Sequence, residues 1–173
     1  DSVFITKLHA KTPHSEITEA NLSADKRKIG PENNFSKLKI NVDLKKSVVS
    51  LKDVGLLVPE LRGMDENIEV SGQISGTLAD LKGKNISLSL GQNTRLAFDA
   101  YLNGLPDFAN TYMHIDLKQS YADLNELSLV KLPDNFPLTQ LKIPSSLLSA
   151  GIIEYNGNFT GFLSDFVDLG SFG

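Results

Sequence analysis

The stretch "GQISGTLADL" runs from Gly72 to Leu81, and "GNFTGFLSDF" runs from Gly157 to Phe166. Both follow one pattern: glycine, polar, apolar, hydroxyl, glycine, variable, leucine, small, aspartate and apolar residue. Glycine weakens the interior of a strand unless a bend, a bulge or a close backbone approach requires it. We therefore predict that the repeated glycines are structural and curve a sheet at equivalent places: Gly72, Gly76, Gly157 and Gly161.

The similarity extends beyond the quoted stretches. Residues 56–81 align with residues 141–166 at a constant offset of 85, and Ile68 then matches Ile153. Self-similarity at a fixed period is typical of stacked supersecondary units that share a continuous core. We predict that residues 1–173 are one segment of a longer repetitive β protein, with repeat copies at 56–81 and 141–166.

Apolar and polar residues alternate along most of the chain, and the alternation is clearest in "KLKINVDL" from Lys37 to Leu44. Alternation with a period of two places the apolar side chains of a strand on one face. Closely spaced strands separated by turn signals favour an all-β, mainly antiparallel sheet with one polar face. Short helices are predicted within 51–61, 120–127 and 144–149. The predicted apolar face consists of Leu38, Ile40, Val42, Leu44, Ile68, Val70, Ile74, Leu88, Leu96, Phe98, Met113, Ile115, Leu117, Ile153 and Phe159.

Composition excludes several classes of function. The net charge is −4, which argues against nucleic acid as a partner because such binding needs clustered Lys and Arg. Cysteine is absent, so neither disulfides nor thiolate metal sites can form. The apolar runs are too short for a membrane-spanning helix, and any signal or anchor is expected outside these residues.

Residues that could carry chemistry are few and badly placed for it. His9 and His14 are separated by five positions with a proline between them, which puts them on no common face and argues against a metal site. Asp80 and Asp165 occupy equivalent places in two repeat copies, so they are predicted to form turn or cap contacts rather than a catalytic pair. We predict a protein that is not an enzyme and holds no cofactor.

The sequence from Leu56 to Asp107, which begins "LLVPELRGMDENIEVSGQISGTLADL", resembles the TamB and AsmA-like family of Gram-negative envelope proteins, as does "GIIEYNGNFTGFLSDF" from Gly151 to Phe166. The resemblance implies a curled, groove-like sheet, known as a β-taco, with an apolar lining and a polar outside. It further implies a periplasmic segment of a parent chain that is anchored in the inner membrane. Phospholipid acyl chains would move along its groove between the inner and outer membranes.

Two alternatives remain open at this stage. The apolar face could be the core of a closed β-sandwich rather than the lining of a groove. The segment could also act as a scaffold for outer-membrane barrel assembly, lending its sheet edges to new strands. Exposed edges also predict edge-to-edge self-association of the segment, because unpaired backbone groups are templates for further pairing.

Overall fold

Eight strands pair in the order in which they occur along the chain. The computed structural model describes residues 2–25, 38–57, 61–105, 107, 110–134 and 139–162. The strands are β1 (Ser2–Lys11), β2 (Glu16–Asp25), β3 (Lys39–Ser50), β4 (Asn67–Thr77), β5 (Asp80–Leu90), β6 (Thr94–Asn103), β7 (Tyr112–Asp123) and β8 (Ile152–Phe162). The helices are α1 (Leu51–Leu57), α2 (Leu124–Leu129) and α3 (Ser145–Leu148).

Every strand pair is antiparallel, and all eight strands belong to one open, curled sheet. The predicted all-β class with a few short helices is therefore confirmed, as is the groove-like sheet. The closed β-sandwich is not what forms, since no second sheet is present among the described residues and β1 and β8 are the two edges.

Helix positions differ from the prediction in one informative place. Residues 120–123 were predicted to be helical, but they complete β7, and α2 begins only at Leu124. The cause is a contact across the sheet: the Ser120 hydroxyl accepts the amide of Ala97 at 3.1 Å. The segment 144–149 contains α3, and within 51–61 the described helix spans Leu51–Leu57, with residues 58–60 outside the described part.

Bulges interrupt the strand pairing at regular places. In β3 the register shifts between Leu44 and Ser47, and in β7 it shifts between Leu117 and Ser120. A bulge adds one residue to a strand and increases its local twist and bend. These shifts let the sheet of long, sequentially paired strands curl without interrupting the hydrogen bonds between neighbouring strands.

The glycines of the repeated stretch lie opposite these bulged strands. Leu44 pairs with Gly72 in β4, and Leu117 pairs with Gly157 in β8. Gly72 has φ +136°, and a Cβ there would stand 2.7 Å from Cδ1 of Ile86. Glycine is therefore required at position 72 both by the backbone conformation and by the side chain packed against it.

The predicted repeat copies have one matching part. β4 and β8 begin and end at positions that are 85 residues apart, and both are strands throughout. Upstream of β4 and β8, residues 85 positions apart no longer have the same secondary structure. Leu56 lies in α1, whereas Leu141 precedes α3 and belongs to no helix or strand. Residues 58–60 of the first copy and 163–166 of the second lie outside the described residues.

Candidate functional site: the open apolar face

Three rows of residues cross the sheet from edge to edge on one side, and together they define the apolar face. Paired residues of neighbouring strands project to the same side of a sheet, so the register identifies each row. The first row is Val3, Ala24, Ile40, Gly76, Leu81, Leu102, Met113 and Gly161. The second is Ile5, Leu22, Val42, Ile74, Gly83, Ala100, Ile115 and Phe159.

The third row lies beside the bulges in the strands. It consists of Leu8, Ala20, Leu44, Gly72, Ile86, Phe98, Leu117 and Gly157. Beyond it, towards α1 and α2, the same face continues through two short rows: Val70, Leu88 and Leu96, and then Ile68 and Leu90. No Lys, Arg, Asp or Glu occurs in any of these rows.

The apolar face is only partly shielded from water. Among its residues only Ala20 and Ile86 are buried, with 3% and 9% of their surface exposed. Val42, Ile74 and Ile115, in the middle of the second row, are only half-buried. Central residues of a two-layer domain are normally fully buried, so this face has no covering layer in the described part of the chain.

The total surface supports the same conclusion. The chain exposes 11259 Å². A compact monomer of this mass would expose about 8,300 Å² by the scaling of surface with mass. The open sheet contributes to this excess, because no layer covers its apolar face in the described part of the chain.

The register places the predicted apolar residues together, with one exception at the margin. Leu38 lies just before β3 and has no strand partner among the described residues, whereas the other predicted residues lie within strands on the apolar face. Ile153 is at the end of this face, where it pairs with Ala122. Whether these side chains contact lipid is a separate question that remains a prediction.

Sequence reasoning missed the part of the apolar face contributed by the first two strands. Val3, Ile5, Leu8 and Leu22 were not among the predicted residues, although all four lie in the three rows. For Val3, Ile5 and Leu8 the reason is a bulge in β1, where Lys7 has φ +53° and the register shifts between Ile5 and Leu8. The shift breaks the alternation with a period of two that identifies such residues in a sequence.

The opposite face of the sheet is polar. One row across it reads Phe4, Ser23, Asn41, Ser75, Lys82, Tyr101, His114 and Thr160. His114 Nδ1 lies 2.7 Å from Oγ1 of Thr160, and Lys82 Nζ lies 5.7 Å from the centre of the Tyr101 ring. Apart from Phe4 at the edge, every side chain in this row carries a polar atom.

Two carboxylates of the helices fix the turns at one end of the sheet. Asp53 in α1 accepts the hydroxyls of Ser15 and Thr12, each at 2.6 Å. These two hydrogen bonds lower the pKa of Asp53, with the bond from Ser15 contributing most. The carboxylate thereby ties the turn between β1 and β2 to the helix that follows β3.

Glu126 in α2 ties the turn between β5 and β6 to the helix that follows β7. Its Oε2 accepts the hydroxyl of Thr94 at 2.7 Å, and its Oε1 accepts the amide of Gln92 at 2.7 Å. The hydroxyl of Thr94 is the main cause of a lowered pKa at Glu126, which burial opposes and further backbone amides reinforce. Both carboxylates are engaged in hydrogen bonds that hold turns of the sheet in place.

Within the described ranges, no cluster of histidine and acidic side chains could hold a metal ion. No helix there has the length and apolar character that crossing a membrane requires. The most developed feature of the described chain is therefore the apolar face. Comparison with family models, curated proteins and solved structures finds no match for this chain.

Proposed function

We propose that this chain is a non-catalytic lipid-binding segment whose apolar face accommodates the acyl chains of phospholipids. The observation that carries the proposal is an apolar face eight strands wide, free of charged residues and only partly buried. An uncovered apolar surface of this extent marks a site of interaction with a ligand, a membrane or a protein. The resemblance to the TamB and AsmA-like family favours phospholipid, carried in the periplasm between the inner and outer membranes by a parent chain anchored in the inner membrane.

The dimensions of the face suit a chain-like apolar ligand. Seven gaps between neighbouring strands, at about 4.8 Å each, make the rows about 34 Å long. Burial of each methylene contributes about 0.8 kcal/mol, so even partial contact with an acyl chain is favourable. The absence of charge in the rows means that the headgroup has no partner there and stays in water, so transfer along the face is passive.

The test is photo-crosslinking in the cell envelope with the full parent chain. A benzophenone side chain is placed at Ile115 or Leu102 on the apolar face, and in matched controls at His114 or Tyr101. Because adjacent residues of a strand point to opposite faces, we expect phospholipid adducts from the first pair of sites and none from the second. Adducts at all four sites, or at none, would overturn the proposal.

A second candidate is a scaffold for outer-membrane barrel proteins, which the two open edge strands favour. β1 and β8 each have a strand neighbour on one side only among the described residues, and an open edge can take a further strand through backbone hydrogen bonds. Stable capture of unfolded barrel strands by a lipid-free preparation would favour this function over lipid binding.

A further inference from the structure

The eight strands divide into two modules of four, β1–β4 and β5–β8, that repeat the same local contacts. The first contact is a bulge with a left-handed residue. Lys7 in β1 has φ +53°, and its amide donates to Oδ1 of Asn21 in β2 at 2.9 Å. Asn85 in β5 has φ +50°, and its amide donates to Oδ1 of Asp99 in β6 at 2.6 Å. Both partners in the second module lie 78 positions after their counterparts in the first.

The second contact joins the first turn of each module to its third strand. The hydroxyl of Ser15 accepts the amide of Ser50 at 3.0 Å while donating to Asp53. In the second module the hydroxyl of Thr94 accepts the amide of Asp123 at 3.1 Å while donating to Glu126. Each module therefore fastens its turn to its helix through one hydroxyl and one carboxylate.

The third contact fills the bulge of the third strand. The sequence "DLKKS" from Asp43 to Ser47 recurs as "DLKQS" from Asp116 to Ser120. The hydroxyl of Ser47 accepts the amide of Thr18 at 3.1 Å, and that of Ser120 accepts the amide of Ala97 at the same distance. Both serines are buried, with at most 2% of their surface exposed. Three sets of contacts that recur in the same order identify the modules as structural repeats.

It follows that the pairing of β4 with β5 is a joint between two modules. Its register pairs Glu69 with Ser89 and Val70 with Leu88. β8 is the counterpart of β4, because the two strands pair with β7 and β3 in the same register, including the bulge. β1 is the counterpart of β5, because Val3, Ile5 and Leu8 pair with β2 as Leu81, Gly83 and Ile86 pair with β6, although β1 has one further register shift, between Leu8 and Ala10. The edge strands β8 and β1 therefore correspond to β4 and β5, the two strands that already pair with each other inside the chain.

We propose that β8 of one copy of this chain pairs antiparallel with β1 of a second copy, in the register of the joint between β4 and β5. The transferred register sets Glu154 opposite Lys11 and Tyr155 opposite Ala10. Such a contact uses two different surfaces, so it extends the sheet in one direction instead of closing it as a symmetric dimer. The apolar rows would then continue from one copy into the next. This inference does not rest on lipid binding.

The side chains at the two edges fit this pairing. Glu154 and Lys11 carry opposite charges and are both exposed, so they can exchange their present partners, Gln119 and Glu16, for each other when they are directly opposed. Val3 and Ile5 are 39% and 45% exposed on β1, at the positions that Leu81 and Gly83 occupy in the existing joint. The edge thus presents apolar side chains where the internal joint already has apolar residues or glycine.

The space over the glycine of β8 agrees with its position at an edge. In the internal joint, Cδ1 of Ile86 lies over Gly72, at 2.7 Å from the position of a Cβ. Over Gly157 the corresponding space is taken by the ring of Tyr155 from the same strand, whose Oη lies at 2.8 Å. Leu8 is the counterpart of Ile86, so it takes this space when β1 of a second copy pairs with β8.

Disulfide trapping tests the register, because the chain has no cysteine of its own. Glu154→Cys and Lys11→Cys are made as separate variants of this chain of 173 residues, mixed and oxidised. We expect cross-linked dimer from the mixture and none from either variant alone. The matched control replaces Lys11→Cys by Ala10→Cys, which projects to the other face and should give on the order of tenfold less dimer, given the close approach that a disulfide requires.

Each other outcome overturns the inference. Disulfide dimers from one variant alone would mean a symmetric contact, and equal trapping at Lys11 and Ala10 would mean random collision. Absence of dimer from a folded mixture would mean that β8 of one copy does not pair with β1 of another. As a second measurement, Glu154→Lys should weaken association of copies that carry Lys11, and mixing it with Lys11→Glu should restore association.

Discussion

At the scale of single residues, glycines decide where the sheet can bend. Gly72 and Gly157 combine φ values of +136° and +148° with side chains packed directly over them. Other residue types strain such a backbone, and they also add a Cβ where a neighbour already lies. The pattern of glycines was visible in the sequence, whereas the identity of the neighbours was not, because it depends on the register of the next strand.

Gly72→Ala should therefore destabilise the fold by about 3 kcal/mol, the combined result of a strained backbone and a clash with Ile86. Gly151→Ala provides the control. Gly151 has φ +67°, but no atom lies within 4 Å of its Cβ position, so it should lose only about 1 kcal/mol from the left-handed backbone. Urea unfolding of both variants measures the difference, and equal losses would show that the contact with Ile86 contributes nothing.

At the scale of elements, some strands could be predicted from local sequence, whereas other features depend on contacts between residues far apart in the sequence. Alternation predicted β3 and β6 because their residues on the apolar face follow a simple period of two. It did not identify the apolar-face residues of β1, where the bulge at Lys7 shifts the period. It also failed at the end of β7, where the amide of Ala97 holds Ser120 in the strand. Both failures come from a neighbouring strand that a single stretch of sequence does not reveal.

The same limit applies to the helix carboxylates. Asp53 and Glu126 resemble ordinary surface residues of short helices, and nothing in their spacing indicates that each binds a turn far away in sequence. Their equivalence emerges only when the modules are compared contact by contact, since the offset of 85 that aligns β4 with β8 does not align α1 with α2. An insertion before β8 separates the two alignments.

The bonds of Glu126 predict a dependence of stability on pH. Its pKa is lower in the folded chain than in the unfolded one, so its contribution is present above the unfolded value of about 4.3 and is lost as pH falls through the folded value. Glu126→Gln should therefore lower the urea midpoint at pH 7. The difference in midpoint between this variant and the unsubstituted chain should shrink towards pH 3.

A suitable control is Glu19→Gln in β2, which removes the same charge. The Glu19 carboxylate makes no hydrogen bond or ion pair within the described part of the chain, so its replacement should leave the midpoint nearly unchanged at both pH values. If Glu126→Gln has the same effect at pH 3 as at pH 7, the charge of Glu126 does not stabilise the turn between β5 and β6.

At the scale of the whole molecule, the main feature is an apolar face that no layer covers in the described part of the chain. A closed domain and an open face respond differently to a charge placed on that face, because burial of an unpaired carboxylate costs several kcal/mol whereas a solvated one does not. The fold class was predictable from alternation and turns, since these are local. The absence of a second layer was not, because a sandwich core and an open face have the same alternation.

Ile115→Asp should leave the sheet folded but remove acyl-chain binding, since Ile115 is half-buried in the middle of the second row. His114→Asp, its neighbour on the polar face, should change neither. Circular dichroism reports the fold, and lipid extracted from the purified protein and quantified by mass spectrometry reports the proposed binding. Unfolding caused by Ile115→Asp would show that a covering layer exists.

The sequential order of the strands also bears on how the molecule responds to mechanical load. Each strand has partners only before and after it in the chain, and the first and last described strands are the two edges. Tension applied through the chain ends would reach the outermost hydrogen bonds first and open them one after another, as in a zipper, instead of shearing many at once. Stability in such a linear array is shared between neighbours. A pulled molecule should therefore lengthen in several small steps and resist only weak forces, which suits a structure that yields locally under strain while the rest of its sheet stays intact.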